Sequence, residues 1–178
     1  IIDPTSSFHG NTLDILIRNG SVDKSDKSIN ATKASVIEHK NLCVSLGWFD
    51  SSVSFGEPGY EERETLNHGL SVAAASGFTQ IAYNTNTNPL PTSKADISFL
   101  LRSAAHTPTT LHPKGHITAQ DNAQQLAELH DLSQAGAICF SNHKQPIDDP
   151  HLLLLALQYA RGFDGLVESF PIDPQLAV

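Results

Sequence analysis

Apolar positions recur along this chain at two spacings. Leu13-Asp14-Ile15-Leu16-Ile17 is strand-like and stops at Asn19-Gly20, a dipeptide suited to a two-residue hairpin turn. Polar residues from Asp23 to Lys33 predict a loop, and Ala34 to His39 is expected to return as the second strand. These segments make a small β-subdomain over residues 1–41.

From Leu42 onward short apolar runs alternate with helical periodicities. Strands are predicted at 42–49, 78–83, 109–116, 137–140 and 165–170, and helices at 63–76, 95–105, 121–133 and 150–161, the first stopped by Gly77. Such alternation makes an α/β fold with a parallel sheet and helices outside it. A closed (β/α)8 barrel needs eight strands and about 200 residues or more. Residues 42–178 are therefore expected to form a partial (β/α)8 TIM-like barrel of about five βα strands. Its open fifth-strand edge calls for a protein partner, a second copy of the chain or further residues to cover it.

Composition narrows the picture. The chain has 178 residues, 39% hydrophobic and 17% charged, enough for a sizeable core. A net charge of −8 without a Lys/Arg cluster argues against nucleic acid and anionic membranes as partners. No apolar run approaches the roughly 20 residues of a membrane span, so a soluble, cytoplasmic protein is expected. Cys43 and Cys139 both lie among apolar neighbours and are expected as buried thiols of a reducing compartment. Ile1 opens the chain in mid-pattern without a methionine, as a trimmed product would.

The chemistry concentrates in Asp50-Ser51-Ser52-Val53-Ser54-Phe55-Gly56-Glu57-Pro58-Gly59-Tyr60. This stretch resembles the dihydroorotase signature of the cyclic amidohydrolase family (amidohydrolase superfamily), Asp-x-His-x-His-Phe-Arg-Glu-Pro-Gly. Ala73-Ala74-Ala75-Ser76-Gly77-Phe78-Thr79 is similar to the family's Gly-Gly-Phe-Thr strand entry, and Asn86-Thr87-Asn88-Pro89 to its Asn-Thr-x-Pro motif. The opening Ile1-Ile2-Asp3-Pro4 and Asp14 to Gly20 resemble its first β-segment.

The resemblance implies a zinc hydrolase that interconverts N-carbamoyl-L-aspartate and dihydroorotate in pyrimidine biosynthesis. Such a zinc needs imidazole and carboxylate ligands at about 2 Å. Serines stand at both histidine positions, Ser52 and Ser54; Asn142 stands at the carboxylate after the fourth strand, and Phe170 at the ligand after the fifth. Gly56 replaces the arginine that grips the substrate carboxylate, and glycine has no guanidinium to offer. Asn86 alone matches a residual substrate contact. The expectation is a degenerate metal site, with no cofactor held and no catalytic residue identifiable.

Among the other candidates, His143 beside Asn142 could bind metal or act as a base. His112 and His116 are separated by Pro113, which argues against one helical face. The remaining histidines are scattered. Asp50 and Glu57 are explained by backbone hydrogen bonding, and a nucleophilic Ser52 or Ser54 lacks a base beside it. Two functions follow from the resemblance. One is a noncatalytic pseudoenzyme acting as a structural or regulatory partner, with aspartate transcarbamoylase as the candidate the family suggests. The other is an active cyclic amidohydrolase whose ligands come from residues beyond Val178.

Overall fold

The computed structural model describes residues 1–172. The chain divides into two compact units, Ile1–Leu46 and Gly47–Val178.

In the first unit, β1 (Asp14–Arg18) and β2 (Ser21–Asp26) form an antiparallel hairpin with Arg18 opposite Ser21. Asn19 and Gly20 have φ of 50° and 77°, the double positive φ that a type I′ turn requires. The partner strand is thus Ser21–Asp26, and residues 34–39, expected as the second strand, form no strand. The reason lies in the turn: a two-residue connection delivers the very next residues into the ladder, whatever their polarity. Val36 and Ile37 are left exposed. Cys43 is also exposed, against expectation, whereas Cys139 is buried.

The second unit alternates strand and helix. In chain order it contains β3 (Trp48–Val53), α1 (Leu66–Ala75), β4 (Phe78–Tyr83), α2 (Lys94–Ser103), β5 (Thr110–Pro113), α3 (Leu129–Ala135), β6 (Phe140–Ser141), α4 (Pro150–Arg161) and β7 (Val167–Glu168). β3, β4 and β5 pair in parallel, as do β6 and β7, and a parallel bridge from Gly115 to Phe140 joins the two groups. The five predicted strands are all present as an open arc with helices on one face.

Local sequence sets the helix ends. The Thr65 side chain accepts from the His68 amide at the start of α1, and Gly77, with φ of 89°, follows its end. Ser93 and Asp96 form a capping box on α2, and Asp149 with Pro150 opens α4. Several boundaries differ from expectation: α1 begins at Leu66 rather than Arg63, β5 ends at Pro113 rather than His116, and β6 is confined to Phe140–Ser141. The first strand begins at Trp48 rather than Leu42, where pairing to Phe78 starts. The predicted helix 121–133 is reduced to Leu129–Ala135. Ala119 and Ala127 donate their amides to Gln125 and Ile117, so the preceding residues fold back as an extended loop.

The core lies between sheet and helices. Leu66 and Leu70 of α1 and Leu100 of α2 pack on Ile81, Tyr83 and Leu111; a second cluster joins Ile97, Ile117, Leu129, Leu132, Phe140 and Ala156. Since Val53, Ile81 and Tyr83 face the helices, strand alternation turns Ser52, Ser54, Gln80 and Asn84 to the opposite, concave face.

Candidate functional site

The site grows from the ends of β3 and β4. The Asn84 amide donates to the carbonyl of Val53 at 2.8 Å, which fixes the register there. Flanking Val53, Ser52 and Ser54 present their hydroxyls to the Asn84 side chain, whose Nδ2 donates to both Oγ atoms at 3.1 Å. Ser54 Oγ in turn donates to Asn86 Oδ1 at 2.8 Å. Asn84 is buried, and its Oδ1 has no hydrogen-bond partner. Four uncharged side chains therefore form one connected hydrogen-bond network at the carboxyl ends of the strands, where sites of parallel α/β folds are built.

Gly56 is more than a missing side chain. It has φ of 138°, and a Cβ there would run into the carbonyl oxygen of Tyr60. Its amide donates to the Tyr83 hydroxyl at 3.1 Å, which donates to the Glu57 carbonyl at 2.7 Å. Burial raises the pKa of that phenol, keeping it a neutral donor. The backbone at Gly56 is thus shaped for glycine, and an arginine would require this turn to be rebuilt. Glu57 Oε2 accepts the Leu66 amide at 2.7 Å at the start of α1, and Asp50 Oδ1 accepts the Ser52 amide at 3.0 Å. Both carboxylates serve backbone groups.

The other predicted positions have separate partners. Asn142 Oδ1 accepts from the Ile117 amide at 3.1 Å and its Nδ2 donates to Thr118 Oγ1 at 3.3 Å. Its amide thus holds the segment after β5. The Thr85 hydroxyl bonds the adjoining Ser141 carbonyl at 2.9 Å, tying the ends of β4 and β6. Phe170 follows β7 and is 38% exposed. His143 has φ of 53°, and its pKa is lowered by burial and by the charges of Lys144 and Lys114.

The sequence reading omits Asn84 and Lys114 and weighs His116 only as half of a histidine pair. Lys114, just after β5, is buried and ion-paired with Glu168 of β7. A lone lysine between apolar neighbours was the available signal. His116 is buried, with Nδ1 positioned 2.9 Å from the Thr118 carbonyl, and desolvation lowers its pKa. That contact fits the neutral tautomer with the proton on Nδ1.

The residues present do not fit zinc. Both serine oxygens are neutral and each accepts an amide N–H. Among the described residues, no group of three or more His, Cys, Asp or Glu side chains could hold a metal ion. No helix among them is long and apolar enough to cross a membrane.

A family model described as dihydro-orotase-like matches residues 42–175. The chain is 34% identical over 178 residues to a dihydroorotase of Geobacter sulfurreducens, covering 99% of this chain and 42% of that protein. It is 32% identical over 176 residues to a dihydroorotase of Lactococcus lactis, covering 99% and 41% respectively. The fold is similar to that of an L-hydantoinase (dihydropyrimidinase) from Arthrobacter aurescens, with TM-score 0.70, 19% identity, and coverage of 87% of this chain and 36% of that one. That likeness identifies the arc as a partial (β/α)8 barrel. The chain spans about two fifths of the length of the curated relatives it matches.

Proposed function

The chain belongs to the dihydroorotase-like family, and on that footing we propose that it is a noncatalytic member with a degenerate metal site. It would act as a structural or regulatory partner in pyrimidine biosynthesis, in the cytoplasm, with aspartate transcarbamoylase as the candidate partner. One observation carries the reading: the serines at the two first-strand ligand positions have their oxygens engaged by the amide of Asn84. A hydrolytic metal generates the nucleophile as well as polarising the carbonyl, so loss of its ligands removes the reaction rather than slowing it.

Two features of the second unit support a partner role. The outer edges of β3 and β7 carry no strand partner among the described residues. Trp48 and Phe49 of β3 and Leu166 beside β7 are exposed. Unpaired edges flanked by large apolar side chains are surfaces that folded proteins cover.

The test follows hydrolysis of dihydroorotate by ultraviolet absorbance with zinc added and with a chelator added, alongside native mass spectrometry with aspartate transcarbamoylase. No turnover from folded protein together with a complex of defined stoichiometry is the expected result. Chelator-sensitive turnover would overturn the proposal in favour of an active cyclic amidohydrolase.

A further inference from the structure

Asn84 is bonded to both serines at once, by one consistent set of hydrogen bonds. The Ser54 hydroxyl spends its proton on Asn86 Oδ1, at 2.8 Å. Toward Asn84 it can offer only a lone pair, so Asn84 must present an N–H there. The same Nδ2 reaches Ser52 Oγ, and Oδ1 is consequently turned away, buried and without a partner. The amide is therefore tied to both serines and, through Ser54, to Asn86.

Resting on the metal-free reading above, we propose that Asn84 is the positioning residue that closes this site to metal. Its N–H groups take up the oxygen lone pairs at positions 52 and 54, through which ligands would meet an ion, and its side chain lies between those positions. Loss of the two histidines alone does not account for metal exclusion. With Asn84 in place, returning imidazoles to positions 52 and 54 leaves them facing an amide donor instead of an ion.

The test compares zinc affinity, titrated against a chromophoric chelator, in four forms of the full chain. These are the unaltered protein, Ser52→His/Ser54→His, and that double variant combined with either Asn84→Ala or Asn84→Leu. Circular dichroism melts show which of them are folded. Asn84→Ala opens the space without adding a ligand, and Asn84→Leu keeps about the same volume while removing the N–H donors, also without adding a ligand. If Asn84→Ala does not fold, the near-isosteric Asn84→Leu carries the comparison.

Zinc binding at least tenfold tighter with either change at position 84 than in the double variant is the expected result. Equal affinity with and without Asn84 would overturn the inference while leaving the metal-free reading of the unaltered chain intact. Stoichiometric zinc on the unaltered protein would overturn both.

Discussion

The ammonium of Lys114 donates to the carboxylate of Glu168 across 2.6 Å, with the lysine side chain 1% exposed and the glutamate 44%. Lys114 follows β5 and Glu168 lies in β7, so the pair reaches past β6, whose own ladder to β7 joins only Phe140 with Val167 and Ser141 with Glu168. Polar pairing reinforces a strand that backbone bonding holds weakly.

Removing the two partners has unequal consequences. Glu168→Gln leaves a buried ammonium without a counter-charge. A fully enclosed pair loses about 3–5 kcal/mol in this way, and the exposed half of Glu168 reduces the expected loss to about 2 kcal/mol. Lys114→Met keeps the length of the side chain and removes the charge, so its expected effect is below about 1 kcal/mol. Urea denaturation of both variants measures the difference, and a larger loss for Lys114→Met would show that the pair is worth more than its desolvation.

Gly69 sets how closely α1 approaches the loop after β3. A Cβ there would lie 2.5 Å from Cδ1 and Cε1 of Phe55, whose ring packs on Tyr83 with centroids 5.5 Å apart. Alanine is favoured over glycine in a helix by about 1 kcal/mol, but overpacking a fixed aromatic contact costs about 1–3 kcal/mol. Gly69→Ala is expected to destabilise by about 1 kcal/mol in spite of the better propensity, and a raised melting temperature would show that Phe55 can give way.

His116 makes stability pH-dependent with a defined sign. Its folded pKa is depressed, mainly by burial, so the unfolded chain takes up the proton first as pH falls. The stability present above the unfolded value of about 6.5 is lost as pH drops through that value toward the folded pKa. His143, lowered by burial and the nearby lysines, acts in the same direction. Unfolding free energies measured from pH 7.5 to 5 are expected to fall with acidification. His116→Gln should flatten the curve, and an unchanged slope would assign the dependence to His143 or to carboxylates.

The strand and helix order was legible because each βα unit carries its own punctuation: Gly77 after α1, Ser93 and Asp96 at α2, Asp149-Pro150 at α4. What failed to read correctly depended on contacts distant in sequence. Leu126 and Ala127 look helical by period, but pairing with Thr118 and Ile117 draws them into an extended loop. At the site, the motif led to Ser52, Ser54, Gly56 and Asn86, which the fold places near one another around the ends of β3 and β4. Asn84 was passed over inside a turn-rich asparagine tract, since nothing local distinguishes an amide bonding its own backbone from one reaching across to β3. Lys114 was missed because its partner lies on β7, far along the chain.

The two thiols differ by environment rather than by sequence context. Both sit among apolar residues, yet Cys43 is exposed and Cys139 is buried beside Phe140 in the core. Desolvation pushes the Cys139 thiol up to about 11, with Lys114 opposing and Glu168 reinforcing the shift. At pH 8 that leaves about one molecule in a thousand as the reactive thiolate, before access is considered. Titration with a disulfide reagent at pH 8 is expected to show one fast thiol, abolished by Cys43→Ser, and a second released only by denaturant. Fast reaction of both in the native protein would mean that β6 opens on the timescale of labelling, and that the short β6–β7 ladder does not hold the end of the arc closed.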